Sequence, residues 1–324
     1  MIKSSDKVGI IGVDVGGTKI KTGIVSPDGE ILCDSVTIAT GGNDAKEIIS
    51  GRITGSIEKV IKNSGLKTNN MIGIGLGVTG PLDIEIGIIL ECPQLPTMHF
   101  YPLRDMVREK FQLPVFMDND ANALLLGESI WGAGKGYRTA LGFTLGTGLG
   151  CALVIDNKLF TGANGMACEI WPSPYKDGTI EDVVSGNGVS TIYYRLTNQQ
   201  KTAKEISKLA RIGDINAIET WNIFGNAFAF AVAWGINMTD PDIVILGGSI
   251  ANSIDLFYDS MNNFLRKHIC PVPAKNTQVV KAELCDNAGF IGAAALVIQA
   301  FADDQQSLLS FGPSKASSLH GKLV

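Results

Sequence analysis

A glycine-turned hairpin occurs twice in this chain at a fixed offset, and it narrows the fold more than any other feature. The first copy, GIIGVDVGGTKIKTGIVSPDGEIL from Gly9 to Leu32, reads as strand, Gly-Gly turn, strand, Pro-Asp-Gly turn, strand. The second, ALGFTLGTGLGCALVIDNKLF from Ala140 to Phe160, reads as strand, Gly-Thr-Gly turn, strand, Asp-Asn turn, strand. Gly16 and Gly146 are 130 residues apart. Two such hairpins, each heading a run of alternating strands and helices, imply internal duplication and two α/β lobes whose turns face each other across a cleft. A length of 324 residues agrees, because single cores stop growing at roughly 250 to 300 residues.

The rest of the periodicity fills in those lobes. Ile48, Ile49, Ile53, Ile57, Val60 and Ile61 stand at helical spacing, followed by a strand from Met71, a helix around Leu103, Met106, Val107 and Phe111, and a strand PVFMD ending at Asp118. Beyond the second hairpin come a long helix from about Ile215 to Met238, a strand from Asp242 to Gly248, a helix near Ser253 to His268, the strand TQVVKAEL and an Ala-rich helix from Asn287 to Ala300. We expect a small lobe over 1–118, a large lobe over 119–301, and a polar tail, 302–324, that returns to the first lobe or frays.

Composition excludes several functions. A net charge of −5 and a pI near 5.3 oppose a nucleic-acid surface, which needs clustered Lys and Arg. The N-terminal MIKSSDKVGIIG lacks the apolar core and cleavage site of a signal peptide, so a cytoplasmic protein without a membrane partner is expected. Cys33, Cys92, Cys151, Cys168, Cys270 and Cys285 form no CxxC pair, and His99, His268 and His320 stand at no ligand spacing. Structural zinc is not expected. Glycine is in excess, at 38 residues, about 12% against a usual ~7%, and it gathers at the ends of apolar runs as ligand loops do.

Four segments carry candidate chemistry. In VDVGGTKIK the bare backbone of Gly16 and Gly17 can approach a phosphate, with Asp14 ordering water around Mg2+, although a plain hairpin turn explains the segment equally well alone. Gly146, Thr147 and Gly148 repeat the turn and shift that balance. GLGVTG, Gly75 to Gly80, formally matches a dinucleotide-binding G-x-G-x-x-G, but Gly80 runs into Pro81 with no helix start, so it reads as a tight turn lining the cleft. In FMDNDANALLLGE, Asp118, Asn119, Asp120 and Asn122 crowd a strand end before a helix, where one residue suffices as a cap and ligands of α/β sheets sit. A helix N-terminus favours a charged Asp120 and makes it a weaker base, which phosphoryl transfer tolerates. Glu169 and Glu181 can accept from sugar hydroxyls; a surface charge and a first-turn helix acid are their bland alternatives.

The ordered set DVGGTK, GVTGPLD, DNDANALLLGE, LGTGLG, GxxGxACEI and ILGGS, over about residues 8 to 300, resembles the ROK sugar kinases of the actin-like ATPase superfamily. The resemblance implies a two-lobed actin-like ATPase (ribonuclease H-like) fold with duplicated mixed sheets. It implies ATP phosphates around Gly16, Gly17, Thr18, Lys19, Gly146, Thr147 and Gly148, and a nucleoside contact at Gly247 and Gly248. Asp120 becomes the general base, with Asn119, Glu169, Glu181 and Gly80 on the sugar. A homodimer is a family-level expectation.

Most family members follow the Glu of this motif with a zinc-ligating His and a cysteine-rich knuckle. Here Pro172 stands in place of the His and SPYKDGTIED contains no cysteine, which implies a zinc-free branch. Some family members are repressors with an added N-terminal DNA-binding domain, for which the seven residues before the first strand leave no room. The expected activity is MgATP-dependent phosphorylation of a hexose, with lobe closure excluding water. The alternatives are an N-acylhexosamine such as N-acetylmannosamine or N-acetylglucosamine, fructose or allose, or a non-catalytic sugar-binding or regulatory protein.

Overall fold

The computed structural model describes residues 8–310, and the chain divides into two compact units. One takes in the described residues up to Ala123 together with those from Gly289 onward; the other spans Leu124–Ala288. The first unit is built on strands β1 (Gly9–Val15), β2 (Lys19–Val25), β3 (Val36–Ala39), β4 (Met71–Val78) and β7 (Val115–Asn119), with helices α1 (Lys46–Ser64) and α2 (Leu103–Phe111). A two-strand ladder, β5 (Leu82–Asp83) with β6 (Ile88–Ile89), leads out of β4. The sheet order is β3-β2-β1-β4-β7, antiparallel through the meander and parallel from β1 to β4 to β7.

The second unit repeats that plan. Its strands are β8 (Thr139–Leu145), β9 (Leu149–Ile155), β10 (Lys158–Leu159), β13 (Ile243–Gly247) and β14 (Gln278–Lys281), in the order β10-β9-β8-β13-β14 with the same directions. The bounds of β8 and β9 are those of β1 and β2 displaced by 130, so the duplication inferred from two turns holds across both hairpins. A small hairpin, β11 (Pro174–Tyr175) with β12 (Gly178–Thr179), precedes helices α4 (Gly186–Thr197), α5 (Ala203–Arg211) and α6 (Ile215–Thr239). Helices α7 (Ile254–His268) and α8 (Pro271–Asn276) follow β13.

Helix α6 shows how the second core forms. Asp214 caps it by accepting the Ala217 N–H at 2.8 Å, and Trp221, Phe224, Phe228, Val232 and Ile236 repeat at three- and four-residue spacing along one buried face. Phe143 of β8 meets Phe228 edge-on at 5.3 Å between ring centroids, and Trp221 stacks on Phe257 of α7 at 5.8 Å. Helix α3 (Asp120–Trp131) carries the chain from one unit into the other. Its fully buried Glu128 accepts the N–H groups of Ala133, Glu283 and Leu284 at 2.9, 3.0 and 2.8 Å, a clasp on the chain leaving β14.

Several expectations change. The third strand of the first meander lies at Val36–Ala39, since Ile31 makes only an isolated bridge to Val25 as the chain leaves the turn closed by the N–H of Gly29 on Ser26. TQVVKAEL contributes only Gln278–Lys281. The large lobe expected over 119–301 is trimmed at both ends, because 119–123 and the helix after Ala288 belong with the first unit. The tail expectation over 302–324 falls, past Ser310, outside the described residues.

A row of glycines returns the last helix, α9 (Ala288–Ser310), to the first sheet. Gly23, Gly12 and Gly75 are directly paired neighbours on β2, β1 and β4, so they share one face. A Cβ built there would overlap the Phe290 ring at Gly23, the Phe290 carbonyl oxygen at Gly12 and the Ala293 carbonyl oxygen at Gly75. Gly73 and Gly77 extend the row along β4, against Val297 at 3.0 Å and Ala123 at 3.2 Å. The GLGVTG segment is therefore mostly the interior of a strand whose alternate glycines receive a helix, and only its end turns. The stretch Cys285–Asp303 is long and apolar enough to cross a membrane by length and composition, and half of it is buried in the protein.

Candidate functional site

In the first unit the candidate residues gather at the carboxyl ends of three parallel strands, where α/β sheets bind ligands. Asp14, Gly77 and Asp118 form one row across β1, β4 and β7, and Val15, Val78 and Asn119 form the next. The chain then leaves β1 into Gly16–Thr18, β4 into Thr79 and Gly80, and β7 into Asp120. A Cβ on Gly80 would stand 3.0 Å from the Asn119 side-chain nitrogen, so Gly80 lets the Asn119 amide lie against the backbone.

Asn119, rather than Asp120, caps α3. Its side-chain oxygen accepts the Ala121 N–H at 2.8 Å. The buried Asp118 accepts from the Asn119 N–H at 2.7 Å and from the Asn122 side chain at 2.8 Å. Burial raises the Asp118 carboxyl above the usual range against the pull of those two bonds. With Asp118 and Asn119 committed to local structure, Asp120 stands half-buried as the first residue of the helix, where the macrodipole favours a carboxylate.

The two hairpin turns are held alike. The N–H of Gly16 donates to the Lys19 carbonyl at 3.0 Å, while the Gly16 carbonyl accepts the hydroxyl of buried Thr40 at 2.6 Å. In the second unit the N–H of Gly146 donates to the Gly148 carbonyl at 3.0 Å, while the Gly146 carbonyl accepts the Gly186 N–H at 2.8 Å. In a planar trans peptide the C=O and the following N–H point opposite ways. Tying those carbonyls back therefore aims the N–H groups of Gly17 and Thr147 to the other side. A Cβ on Gly146 would meet nothing within 4 Å, and one on Gly16 only the Lys19 carbonyl at 3.4 Å. Each turn thus presents N–H groups beside open space, a cradle that suits phosphate oxygens.

Further groups in the second unit surround its turn. Gly186 opens α4, whose N-cap Ser185 accepts the Gly188 N–H at 3.0 Å, so the positive end of that helix adjoins Gly146. Gly248, at φ 85°, packs where a Cβ would overlap the Leu145 carbonyl oxygen, and Gly247 faces Leu124 at 2.9 Å. Thr147 is exposed. Glu181 does not lie in the first turn of a helix, since α4 begins at Gly186. Its carboxylate instead accepts the Leu149 N–H at 2.7 Å and would stand 2.6 Å from a Cβ on Gly148, so it braces the turn from beneath. Glu169 is half-buried in a tight loop where the Ile170 N–H donates to the Cys168 carbonyl at 2.7 Å.

Asp14 provides the main electrostatic feature. Burial pushes its carboxyl up from 3.8 to about 6, against the opposing charges of Lys19 and Lys21. The charged form is costly at neutral pH without a counter-ion, which fits a group that orders a hydrated divalent cation on bound phosphate. The folded protein binds this proton more tightly than the unfolded chain. The stabilisation from Asp14 is thus complete below pH 3.8 and lost as pH rises through about 6. Asp14→Asn, neutral throughout, is expected to gain stability over the native protein between pH 4 and 7 by up to about 3 kcal/mol. Thermal melts of both proteins across that range check it, and a pH-independent difference would refute the placement of the charge.

In the segment where the resemblance implied a zinc-free replacement of a knuckle, the chain forms the β11-β12 hairpin, closed by Asp182 accepting the Thr179 N–H at 2.8 Å and its hydroxyl at 2.9 Å. Among the described residues no group of three or more His, Cys, Asp or Glu is arranged to hold a metal. Sequence reasoning missed Thr40 and Gln94, which packs on Gly17 with its Cβ 2.7 Å from where a glycine Cβ would be, and Gly186. Each stands far along the chain from the turn it supports, and nothing local marks it.

Residues 10–300 match the profile of the ROK family. A glucokinase of Thermotoga maritima is 32% identical over 90% of this chain and 98% of its own length. An N-acetyl-D-glucosamine kinase of Vibrio cholerae is 30% identical over 89% of this chain and 99% of its own. A solved structure, a ROK family glucokinase from Streptomyces griseus in complex with glucose and AMPPNP, superposes with a TM-score of 0.77 at 29% identity, over 90% of this chain and 99% of that one.

Proposed function

The chain belongs to the ROK family and is a sugar phosphotransferase, and from that premise we propose that it transfers the γ-phosphoryl group of ATP to a hexose, as a glucokinase does, with Asp120 as general base. Its fold is that of the actin-like ATPase superfamily. The observation that carries the reading is the matched pair of turns, each with its carbonyl tied back and its glycine open, together with a carboxylate at the carboxyl end of β7.

In this reading Gly16, Gly17, Thr18 and Lys19 on one hairpin and Gly146, Thr147 and Gly148 on the other hold the phosphates. Gly247 and Gly248 bound the nucleoside, and Asp14 orders water on Mg2+. The cation, when bound, neutralises charge on the phosphates. Asn119, Gly80 and Glu169 hold the sugar. Glu181, expected beside them, also positions the second turn through Leu149. Asp120 orients the acceptor hydroxyl and receives its proton late in an in-line transfer, so positioning matters more than basicity. The substitution of Pro172 for the family His supports a zinc-free enzyme. A cytoplasmic homodimer completes the proposal, and the exposed Phe230, Trp234 and Met238 of α6 support a partner for that helix.

The 30% identity to N-acetyl-D-glucosamine kinase favours an N-acylhexosamine as the second reading. A coupled ADP-release assay with MgATP across glucose, fructose, allose, mannose, N-acetylglucosamine and N-acetylmannosamine separates the two. Turnover fastest on glucose supports the first. Preference for an N-acylated sugar replaces it with the second, and no turnover on any of them refutes both.

A further inference from the structure

The first glycine turn is gripped from outside by residues 40–44, the loop between β3 and α1. Buried Thr40 takes hold of two peptides of the turn at once. Its hydroxyl donates to the Gly16 carbonyl at 2.6 Å, and its N–H donates to the Thr18 carbonyl at 2.9 Å. Gly42 closes on the peptide between them, since a Cβ there would stand 3.0 Å from the Gly17 carbonyl oxygen and 2.3 Å from that of Gln94.

Arg52 of α1 locks this loop. Its Nη1 donates to the Thr40 carbonyl at 2.6 Å and to the Asp44 carboxylate at 2.5 Å. The Asp44 N–H closes the loop on the Gly41 carbonyl at 2.7 Å, and the Thr97 hydroxyl donates to the Asp44 carbonyl at 2.6 Å. Gly41 makes room for the ion pair: it has φ 62°, and a Cβ there would fall 2.3 Å from both Nη1 of Arg52 and the Asp44 carboxylate.

We propose that Thr40 and Arg52 are positioning residues for phosphoryl transfer, forming a clamp that holds the turn at 16–18 with its N–H groups toward the nucleotide phosphates. The clamp rests on the reading of that turn as a phosphate cradle, given above.

Two consecutive glycines have a wide choice of backbone conformation, so Gly16 and Gly17 can turn a peptide plane over at little steric cost. A peptide turned over would aim its carbonyl oxygen, rather than its N–H, at the phosphates, and attraction would become repulsion. In a planar trans peptide, fixing the carbonyls of Gly16 and Thr18 on one side fixes the N–H groups of Gly17 and Lys19 on the other. Thr40 can do this only while its own backbone is held, and the Arg52 bond to its carbonyl holds it. The Arg52 and Asp44 side chains are 34% and 43% exposed, and ion pairs at such positions add little to stability. Losing the clamp should therefore show in nucleotide binding rather than in the melting temperature.

The test is calorimetric titration of the full-length protein with AMPPNP and Mg2+, without sugar, beside a thermal melt of each variant. Thr40→Val keeps the shape and removes the hydroxyl. It is expected to weaken AMPPNP binding about tenfold to a hundredfold, the worth of a hydrogen bond or two to a charged group. Thr40→Ser restores the hydroxyl and should recover most of that loss. Arg52→Ala, at a partly exposed position, should melt close to the native protein and weaken binding about threefold to tenfold, since it acts through Thr40. Guanidinium chloride at a non-denaturing concentration should restore the affinity of Arg52→Ala where equal sodium chloride does not. Native affinity in both Thr40→Val and Arg52→Ala overturns the clamp. A joint fall of affinity and melting temperature in Arg52→Ala, without rescue by guanidinium, also overturns it and leaves Arg52 a purely structural role. A native protein that binds no AMPPNP overturns the kinase reading and the clamp together, which sets that failure apart from the other two.

Discussion

Asp120→Asn is expected to lower kcat for sugar phosphorylation by about 10² to 10⁴ while sugar affinity stays close to that of the native protein. The substitution keeps size and shape and removes only the ability to accept a proton. It should not disturb the helix, because Asn119 makes the cap through the Ala121 N–H and Asp118 ties Asn119 and Asn122 in place. The loss should therefore fall on kcat rather than on KM or on stability, the pattern of an interaction made only in the transition state. Steady-state ADP release with sugar titrations, together with a melting curve of the variant, measures all three. Unchanged turnover would remove Asp120 from the chemistry. A joint fall of melting temperature and turnover would assign it a structural role.

Gly75→Val is expected to prevent the first unit from assembling normally. A Cβ there overlaps the backbone carbonyl of Ala293, and backbone cannot rotate aside as a side chain can. Helix α9 would have to lift from the sheet, exposing Phe290, Ala293, Ala294 and Val297, all buried in the native protein. The cost should exceed about 4 kcal/mol, or about 10 °C of melting temperature in a protein of this size. Gly146→Ala is the contrasting control. Its Cβ meets no protein atom within 4 Å, so the fold should be untouched, while ATP affinity falls because the added methyl occupies the space beside the turn. Thermal melts and nucleotide titration of both variants separate the two kinds of glycine. Equal melting temperatures would show that α9 does not need the glycine row.

Those two glycines mark the boundary of what local pattern reveals. GLGVTG matches a nucleotide motif on paper, yet Gly75 serves a helix more than two hundred residues later in the chain, and Gly77 packs closest on Ala123. Alternation at 73, 75 and 77 does point to one strand face, but it does not say what covers that face. Asp120 was legible because a strand end, a crowd of short polar residues and a helix start are consecutive. The sequence marked Glu181 as a candidate sugar acceptor but not as the brace of Leu149, because its partner lies 32 residues earlier.

The sequence by itself determined the duplicated hairpins, the α/β class, the two glycine turns and the carboxylate at the end of β7, since each is written in neighbouring residues whose periodicity and turn chemistry act locally. Only the tertiary structure decided which unit α9 joins, that Thr40 and Gly186 tie back the two turns, and that Asn119 rather than Asp120 caps α3. Those outcomes depend on close packing between segments distant along the chain, where tenths of an ångström and the burial of single polar groups select the partner, and no short stretch of sequence contains that information.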